Sequence, residues 1–377
     1  MKHMPLLRLR EYVDIHSSVV HTAERERDSQ SHRVATMSSC CEDNVKKAYS
    51  NWSSGGSCGF KTITAGRAED IKEALTHVHQ DVLDRYYGCG MVIPEKLEGQ
   101  KVLDLGCGAG RDTYIVSKLV GPEGSIVGVD MTDALIEVAN KHVGYSTERF
   151  GYSKPNLEFF VGYIEKLAEK GIGDNSFNIL VSNGVINLTS DKKAVLQEAY
   201  RVLKEGGELY FSDVYCSKEL PEEVRKNEYL WSMCIAGSLY WKRLHDIAKE
   251  VGFCVPRVVE ITTVAINNEE YKTLVGDARF VSITYRMFKL PAERKGPSTV
   301  VYKGDIKGYE KEFKLDVRNV FRTGETRQID GELATFLATS RFKDSFTFLD
   351  NLIVNPFDYV SELESRGETP KVAYSVD

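Results

Sequence analysis

The chain has 377 residues, a formal net charge of −6 and a hydrophobic fraction of 42%. At about 150 residues per domain, this length predicts two or three domains with a sizeable core. The mildly acidic balance argues against nucleic acid as a partner, and no run approaches the roughly 18 apolar residues of a membrane-spanning helix.

The amino-terminal residues 1–40 predict a disordered extension. They are polar and mixed in charge, and their histidines lack the spacing of a metal site. The opening residues lack the apolar core of a signal peptide, and early acidic residues argue against a mitochondrial presequence. The eight cysteines are too few for a disulfide scaffold in this length. We therefore expect the cytosol as the compartment.

Strands and helices alternate regularly through the middle of the chain. Apolar residues recur every three or four positions over 67–87, which predicts an amphipathic helix. Strands are predicted at 101–106, 125–130, 156–162, 177–183 and 208–214. Helices are predicted at 110–120, 132–143 and 191–204, the last with Glu205–Gly207 as its stop. This alternation predicts an α/β fold, doubly wound, with a mainly parallel sheet and helices on both faces.

The alternation breaks after the fifth predicted strand. Residues 216–250 are largely helical by composition, and strands are predicted near 255–266 and 280–289. A charged segment with prolines at 290–297 predicts a linker. Beyond it, residues 298–377 mix strand-like segments with a helix predicted at 331–340. We expect a small α+β domain there, and nothing in it indicates a reaction.

A glycine-rich loop follows the first strand of the alternation. Asp104 stands two residues before Gly106, and Gly108 and Gly110 follow. Glycines here allow tight turns and a close approach of the backbone to a ligand. The dinucleotide fingerprint would place its third glycine at Arg111, so the loop does not match it. A glycine turn used only for helix packing is the structural alternative.

Asp130 ends the second strand, where a carboxylate can accept both hydroxyls of a ribose. Together with the glycine loop, this resembles the S-adenosylmethionine-dependent methyltransferases of the seven-strand type. The resemblance implies that Asp104 meets the amino group of the methionine moiety, and that Ile164 and Glu165 bracket the adenine. A solvated helix start at Gly162–Glu165 is the alternative. The expected cofactor contacts are Tyr87, Asp104, Gly106, Cys107, Gly108, Gly110, Asp130, Met131, Ile164, Glu165, Asn183 and Val185.

Three cysteines indicate the substrate. Cys58 lies in a glycine- and serine-rich loop, Cys89 lies between two glycines, and Cys234 precedes Ile-Ala-Gly. Two of these lie in flexible glycine surroundings, which are unusual for cysteines that pack as small buried hydrophobes. The histidines outside the amino-terminal extension lie on predicted helices, so no general base for oxygen or nitrogen methylation stands out.

Several long strings resemble the arsenite S-adenosylmethionine methyltransferases over about residues 45–290. They are RYYGCGMVIPEKLEGQKVLDLGCGAGRD, SNGVINL, EAYRVLKEGGELYFSDVY, LPEEVR, SLYW and GDARFVS. The resemblance implies a class I, Rossmann-like methyltransferase domain at 41–290, with an arsenic-binding helical segment at 216–250. It also implies S-adenosylmethionine as cofactor, arsenite or methylarsenite as substrate, and thioredoxin or glutathione as thiol reductant.

In that family thiolates bind trivalent arsenic, whose lone pair attacks the sulfonium methyl. The resemblance carries this role to Cys89 and Cys234, with Cys58 as a third ligand or as a resolving thiol, and soft thiolates suit arsenic(III). A further family cysteine is absent, because Gly184 stands in its place, and Met233 replaces the usual glutamate. We therefore expect a bias towards methylarsenite, or a slow first methyl transfer.

Two other functions stay open at this point. One is a sterol- or quinone-type methyltransferase, and the other is a metalloid-binding protein without turnover. Of the remaining cysteines, Cys107, Cys216 and Cys254 are expected to be structural, with Cys216 as a candidate substitute ligand. Cys40 and Cys41 are expected to be incidental or redox-active thiols.

Overall fold

The computed structural model describes Lys46, residues 65–86, Gly88, residues 90–349 and residues 356–367. The extension expected at 1–40 lies outside the described residues, as do Cys40, Cys41, Cys58, Tyr87 and Cys89.

A mainly parallel sheet forms the centre of the molecule, in the strand order β3-β2-β1-β4-β5-β8-β7. The strands are β1 (Lys101–Leu105), β2 (Ser125–Asp130), β3 (Leu157–Val161), β4 (Phe177–Asn183), β5 (Leu203–Cys216), β6 (Leu239–Tyr240), β7 (Arg257–Val264) and β8 (Phe280–Lys289). Strands β1 to β5 are parallel, β8 runs antiparallel between β5 and β7, and the two-residue β6 pairs with the end of β5. The predicted α/β fold and doubly wound seven-strand sheet are therefore confirmed.

Helices cover both faces of this sheet. They are α1 (Ala68–Thr76), α2 (Gln80–Leu83), α3 (Arg111–Val120), α4 (Asp133–Lys141), α5 (Val143–Phe150), α6 (Lys192–Val202), α7 (Glu222–Arg225), α8 (Glu228–Ser232), α9 (Trp241–Val251) and α10 (Glu269–Val275). One buried core lies under α6 and α9, and the other lies under α1, α3 and α4. The strand order reverses at β1, so the carboxyl ends of β1, β2 and β4 border a crevice of the kind that binds ligands.

The continuous helix predicted over 67–87 is wrong, because the chain breaks between α1 and α2. His79 has extended backbone angles, and its Nδ1 accepts a hydrogen bond of 3.1 Å from the Asp81 amide. That side chain caps α2, and histidine is outside the usual set of capping residues. The break was therefore not visible in the apolar periodicity.

The helix predicted at 191–204 ends earlier than expected. α6 stops at Val202 and β5 begins at Leu203, so Glu205–Gly207 lie inside a strand. The pairing of β4 with β5 jumps from Phe177–Leu203 to Ile179–Glu208, and this irregularity absorbs the glycines.

The carboxyl-terminal residues form small sheets and helices against the back of the central sheet. They comprise β9 (Ser298–Tyr302), β10 (Glu312–Lys314), β11 (Val320–Arg322), β12 (Thr326–Ile329), α11 (Gly331–Thr339), β13 (Phe346–Phe348) and α12 (Pro356–Ser365). The helix predicted at 331–340 is confirmed as α11. The Phe336 ring on α11 stacks on Phe288 of β8 with centroids 3.5 Å apart. No helix of the described residues has the length and apolar character needed to cross a membrane.

Candidate active site

A cleft of about 1010 Å³, partly open to solvent, lies at the carboxyl ends of β1, β2 and β4. The expected contacts that line it are Asp104, Gly106, Cys107, Gly108, Asp130, Met131, Ile164, Glu165, Asn183 and Val185. The sequence did not predict contacts at Val82, Arg85, Tyr86, Ala109, Arg111, Asp112, Thr132, Leu135, Gly162, Tyr163, Gly184, Leu188 and Thr189, which complete the lining.

Two glycines of the loop after β1 have different structural roles. Gly106 has φ +77° and lines the cleft, and a Cβ there would lie 2.4 Å from Val185 Cγ1. Gly110 has φ +91° and caps α3, where a Cβ would lie 2.7 Å from the Phe159 ring. Gly106 therefore allows close packing at the cleft, whereas Gly110, which is not among the lining residues, allows the helix to pack on the sheet.

Asp130 is held rigidly at the end of β2. Its Oδ2 accepts the Gly108 amide at 2.9 Å, and its Oδ1 accepts the Thr132 amide at 2.8 Å. Burial raises the pKa of this carboxyl, although the two backbone donors favour its charged form. Each oxygen keeps a further lone pair, so the group can accept hydrogen bonds from a ligand hydroxyl pair.

Asp104 is 4% exposed, and its Oδ2 accepts a hydrogen bond of 2.6 Å from the Thr113 hydroxyl. Burial raises its pKa to about 7, and the neighbouring carboxylates of Asp112 and Asp130 add to the shift. A cation bound in the cleft would relieve that repulsion. Asp104 is therefore suited to pair with an ammonium or sulfonium ligand.

Asn183 links the end of β4 to the chain segment between α2 and β1. Its Nδ2 donates to the Gly90 carbonyl at 3.0 Å, to Asp112 Oδ2 at 2.8 Å and to the Tyr86 hydroxyl at 3.2 Å. The guanidinium of Arg111 lies 3.1 Å from the centroid of the Tyr86 ring. The segment with Tyr86 and Gly90, which borders the cleft, is thus tied to β4 by polar contacts.

The sequence does not predict these contacts. Tyr86, Arg111 and Asp112 carry no local signal of a network, because Asn183 joins them only through tertiary hydrogen bonds. At the sequence level Arg111 only breaks the dinucleotide fingerprint. In the structure its Nε donates to Asp112 Oδ1 at 2.8 Å, which orients the carboxylate toward Asn183.

Cys234 lies beside the cleft, after α8. It is 2% exposed, and its Sγ donates to the Gly184 carbonyl at 3.2 Å. Gly184 lines the cleft and has φ +71°, and Cys234 itself has φ +60°. Left-handed backbone at a residue with a side chain is strained and concentrates at functional sites. The structure thus places the Cys234 sulfur beside Gly184, the position at which the resemblance leads us to expect a cysteine.

Lys192 at the start of α6 supplies positive charge near this cysteine. Its Nζ donates to the Thr189 carbonyl at 2.8 Å and lies 5.5 Å from the Trp231 ring centroid. Burial lowers the pKa of Lys192 to about 8, while the charges of Asp213 and Cys234 favour its protonated form. Lys192 and Cys234 therefore interact electrostatically.

The other described cysteines have structural surroundings. Burial raises the pKa of the Cys107 thiol, which keeps it protonated in the glycine loop. Cys216 Sγ donates to the Ser238 carbonyl at 3.7 Å, and Cys254 Sγ accepts the Phe288 amide at 3.1 Å. Burial raises the pKa of both these thiols as well.

Two family models match the chain. The one described as "Methyltransferase domain" matches residues 96–252, and the one described as "Arsenite methyltransferase C-terminal domain" matches residues 295–375. The arsenite methyltransferase of Rattus norvegicus is 50% identical over 288 residues, which cover 76% of this chain and 78% of that protein. The chain belongs to the arsenite methyltransferase family.

Other arsenic methyltransferases are similar to this chain over most of its length. The arsenite methyltransferase of Homo sapiens is 48% identical and covers 81% of this chain and 87% of its own. The X-ray crystal structure of CrArsM, an arsenic(III) S-adenosylmethionine methyltransferase from Chlamydomonas reinhardtii, superposes with a TM-score of 0.72. It is 42% identical and covers 74% of this chain and 95% of its own.

Family membership makes the chain a methyltransferase enzyme with S-adenosylmethionine as its cofactor. The cleft fits this group. Its backbone cradle at Gly106 leaves no room for a Cβ, and the buried carboxyls of Asp104 and Asp130 suit a cationic ligand that carries a ribose. A sterol- or quinone-type methyltransferase, or a binding protein without turnover, is not favoured.

Proposed function

We propose that this chain transfers the methyl group of S-adenosylmethionine to trivalent arsenic held by Cys234 together with Cys89 and Cys58. One observation carries the proposal. The Cys234 sulfur lies 3.2 Å from the carbonyl of Gly184, a residue of the cofactor cleft. A metalloid bound to that sulfur would therefore sit next to the bound methyl donor, and such placement favours a displacement by about 7–11 kcal/mol when alignment is good.

The chain's own residues hold the two reactants. We assign the methionine amino group to Asp104, the ribose to Asp130, and the adenine to Ile164 and Glu165. Asn183 braces the segment with Gly88 and Gly90, since a Cβ on Gly88 would lie 2.9 Å from Asn183 Cγ. These two glycines flank Cys89 in the sequence, which supports its inclusion, although Cys58 and Cys89 lie outside the described residues.

No proton needs to be removed from the acceptor, because the arsenic lone pair is already available. When bound, S-adenosylmethionine would supply a methyl group on a positively charged sulfur, which the arsenic lone pair would accept with S-adenosylhomocysteine as the leaving group. Among the described residues that line the cleft there is no histidine, which agrees with a reaction that needs no general base.

The substrate preference follows from Gly184. With glycine in place of the family cysteine, one thiolate is lost, and a species that already carries a methyl group needs fewer sulfur ligands. We therefore propose that methylarsenite is methylated faster than arsenite. We further propose thioredoxin or glutathione as the reductant that restores the thiols, in the cytosol.

The proposed domain division follows the sequence. Residues 41–290 perform the methyl transfer, with 216–250 as the arsenic-binding segment, and residues 298–377 form a small appended domain. The position of Cys234 just after α8 supports the assignment of residues 216–250 as the arsenic-binding segment. The cleft residues all lie between Val82 and Thr189, so the appended domain contributes none of them among its described residues.

The test is a methyl-transfer assay on the full chain with labelled cofactor, a thiol reductant, and arsenite or methylarsenite in separate reactions. Cys234→Ser should lower arsenic methylation by on the order of 100-fold and leave cofactor binding intact. Cys254→Ser is the matched control, since that buried sulfur lies against Phe288 and should leave methylation unchanged.

Two outcomes would contradict the proposal. If Cys234→Ser methylates arsenicals like the unmodified chain, the thiol does not bind the substrate. If arsenite reacts faster than methylarsenite, the preference is wrong while the methyl transfer itself stands.

A further inference from the structure

A cluster of two histidines and an aspartate lies outside the cofactor cleft, between α2 and the α4–α5 junction. His79 and Asp81 come from the start of α2, and His142 joins α4 to α5. One ligand atom from each side chain lies within 4.8 Å of the others. The cluster has no part in the methyl transfer proposed above.

Three donor atoms of this His79–Asp81–His142 cluster lie close together. Asp81 Oδ2 lies 3.1 Å from His142 Nε2 and 3.8 Å from His79 Nδ1, and the ligand atoms of a tetrahedral metal site stand about 3.3 Å apart when each bond is about 2.0–2.1 Å. The two imidazole rings are stacked, with centroids 3.8 Å apart and planes tilted by only 14°. Because an imidazole nitrogen binds a metal in the plane of its ring, one ring has to turn before both nitrogens bind the same ion.

The cluster is accessible to solvent. The Asp81 side chain is 42% exposed, the His79 side chain is 34% exposed, and His142 is buried. A metal ion would replace the hydrogen that His142 Nε2 shares with Asp81 Oδ2. The side chain of Lys141, whose Nζ lies 3.2 Å from Asp81 Oδ2, is 67% exposed and can swing into solvent.

We propose that His79, Asp81 and His142 form a binding site for a divalent metal ion with a preference for nitrogen and oxygen ligands, such as zinc or cobalt. Two imidazoles and one carboxylate are a ligand set typical of such ions, with water in the open position. Metal binding displaces the Lys141 ammonium from Asp81. It also breaks the hydrogen bond from the Asp81 amide to His79 Nδ1, by which the His79 side chain caps α2. Because α2 carries Val82, which lines the cleft, the bound ion would fix one wall of the cofactor site to α4.

Cobalt(II) and zinc(II) titrations of the full chain test this site. We expect weak visible cobalt bands, typical of nitrogen and oxygen ligands, and one equivalent of zinc by calorimetry that is separate from any thiol-bound metal. His142→Gln and Asp81→Asn should each weaken this equivalent by about tenfold or more. Lys141→Gln should strengthen it, because the competing ammonium is removed.

His245→Gln is the matched control. His245 lies on α9, and burial lowers its pKa, but it is not part of the cluster, so metal binding should not change. Asp81→Asn decides the outcome if His142→Gln fails to fold, since Asp81 is half-exposed. The proposal is overturned if no equivalent binds, if both variants bind like the unmodified chain, or if the cobalt spectrum shows only intense thiolate bands.

Discussion

Asp104 controls the charge at the bottom of the cofactor cleft. Its pKa is raised to about 7, chiefly by burial, so the carboxyl takes up a proton as the pH falls from 8 to 6. The charged form is the one that pairs with a ligand ammonium. We therefore expect the affinity for S-adenosylmethionine to fall with decreasing pH over this range, measured by calorimetry. Asp104→Asn should bind weakly at every pH, and a slope that persists in this variant would assign the titration elsewhere.

Gly184 sets the backbone geometry beside Cys234, and in the proposed function it also limits the number of sulfur ligands. We expect Gly184→Cys to raise turnover of arsenite relative to methylarsenite, because the missing thiolate is restored. It should also lower the thermal midpoint, since φ +71° costs a residue with a Cβ about 1–2 kcal/mol. Gly184→Ala carries the same strain without sulfur. An equal gain in arsenite turnover with alanine would exclude the thiolate explanation.

The sequence predicts the existence of helices and strands more reliably than the residues at which they begin and end. Strands β1, β2 and β4 match their predicted segments closely, because each is an apolar run bounded by glycine or charge. The break between α1 and α2 and the separate helix α5 were missed. His79 caps α2 through its own side chain, and His142 stands at the junction of α4 and α5. Histidine is not a usual capping residue, so neither boundary carries a sequence signal.

The candidate site was predictable where function depends on local backbone. The Gly106 turn and the acid at the end of β2 follow from short-range pattern. The left-handed backbone of Cys234 and the hydrogen bonds of Asn183 do not, because they depend on groups brought together only by folding. Periodicity carries no signal for such contacts.

At the scale of secondary-structure elements, the Asn183 side chain connects β4 to the segment that precedes β1. We expect Asn183→Ala to raise the Kd for S-adenosylmethionine by about tenfold, which corresponds to about 1.4 kcal/mol and is comparable with losing one or two hydrogen bonds. The same variant should be cut faster by protease in the segment near Gly90. Calorimetry and limited proteolysis check the two effects.

The control for this prediction is Asn178→Ala in the same strand. Asn178 Oδ1 accepts the Lys101 amide at 3.2 Å at the opposite end of β4, far along the strand from the cleft. If this variant weakens cofactor binding as much as Asn183→Ala, the effect reflects the stability of β4 rather than the bracing of the cleft.

At the scale of the whole molecule, buried charges join the carboxyl-terminal part to the central sheet. Arg286 of β8 lies 2.6 Å from Glu95 Oε2 and 3.4 Å from Glu208 Oε2, and Arg341 lies 2.5 Å from Glu208 Oε1. These four residues come from distant parts of the sequence. No local pattern indicates that they meet, which is why the small domain was predicted without its attachment.

Arg341 makes this attachment testable. Its guanidinium also donates to the Glu95 carbonyl at 2.9 Å, and Glu208 is 0% exposed. Arg341→Met removes one partner of a buried pair, so we expect the free energy of unfolding in urea to fall by about 3–5 kcal/mol. Cofactor affinity should stay unchanged, because no residue of this network lines the cleft. Arg322→Met, which breaks the exposed pair with Glu312, should cost less than about 1 kcal/mol. Equal losses in the two variants would mean that the carboxyl-terminal part is held by its apolar contacts, such as Phe288 with Phe336, and not by the buried charges.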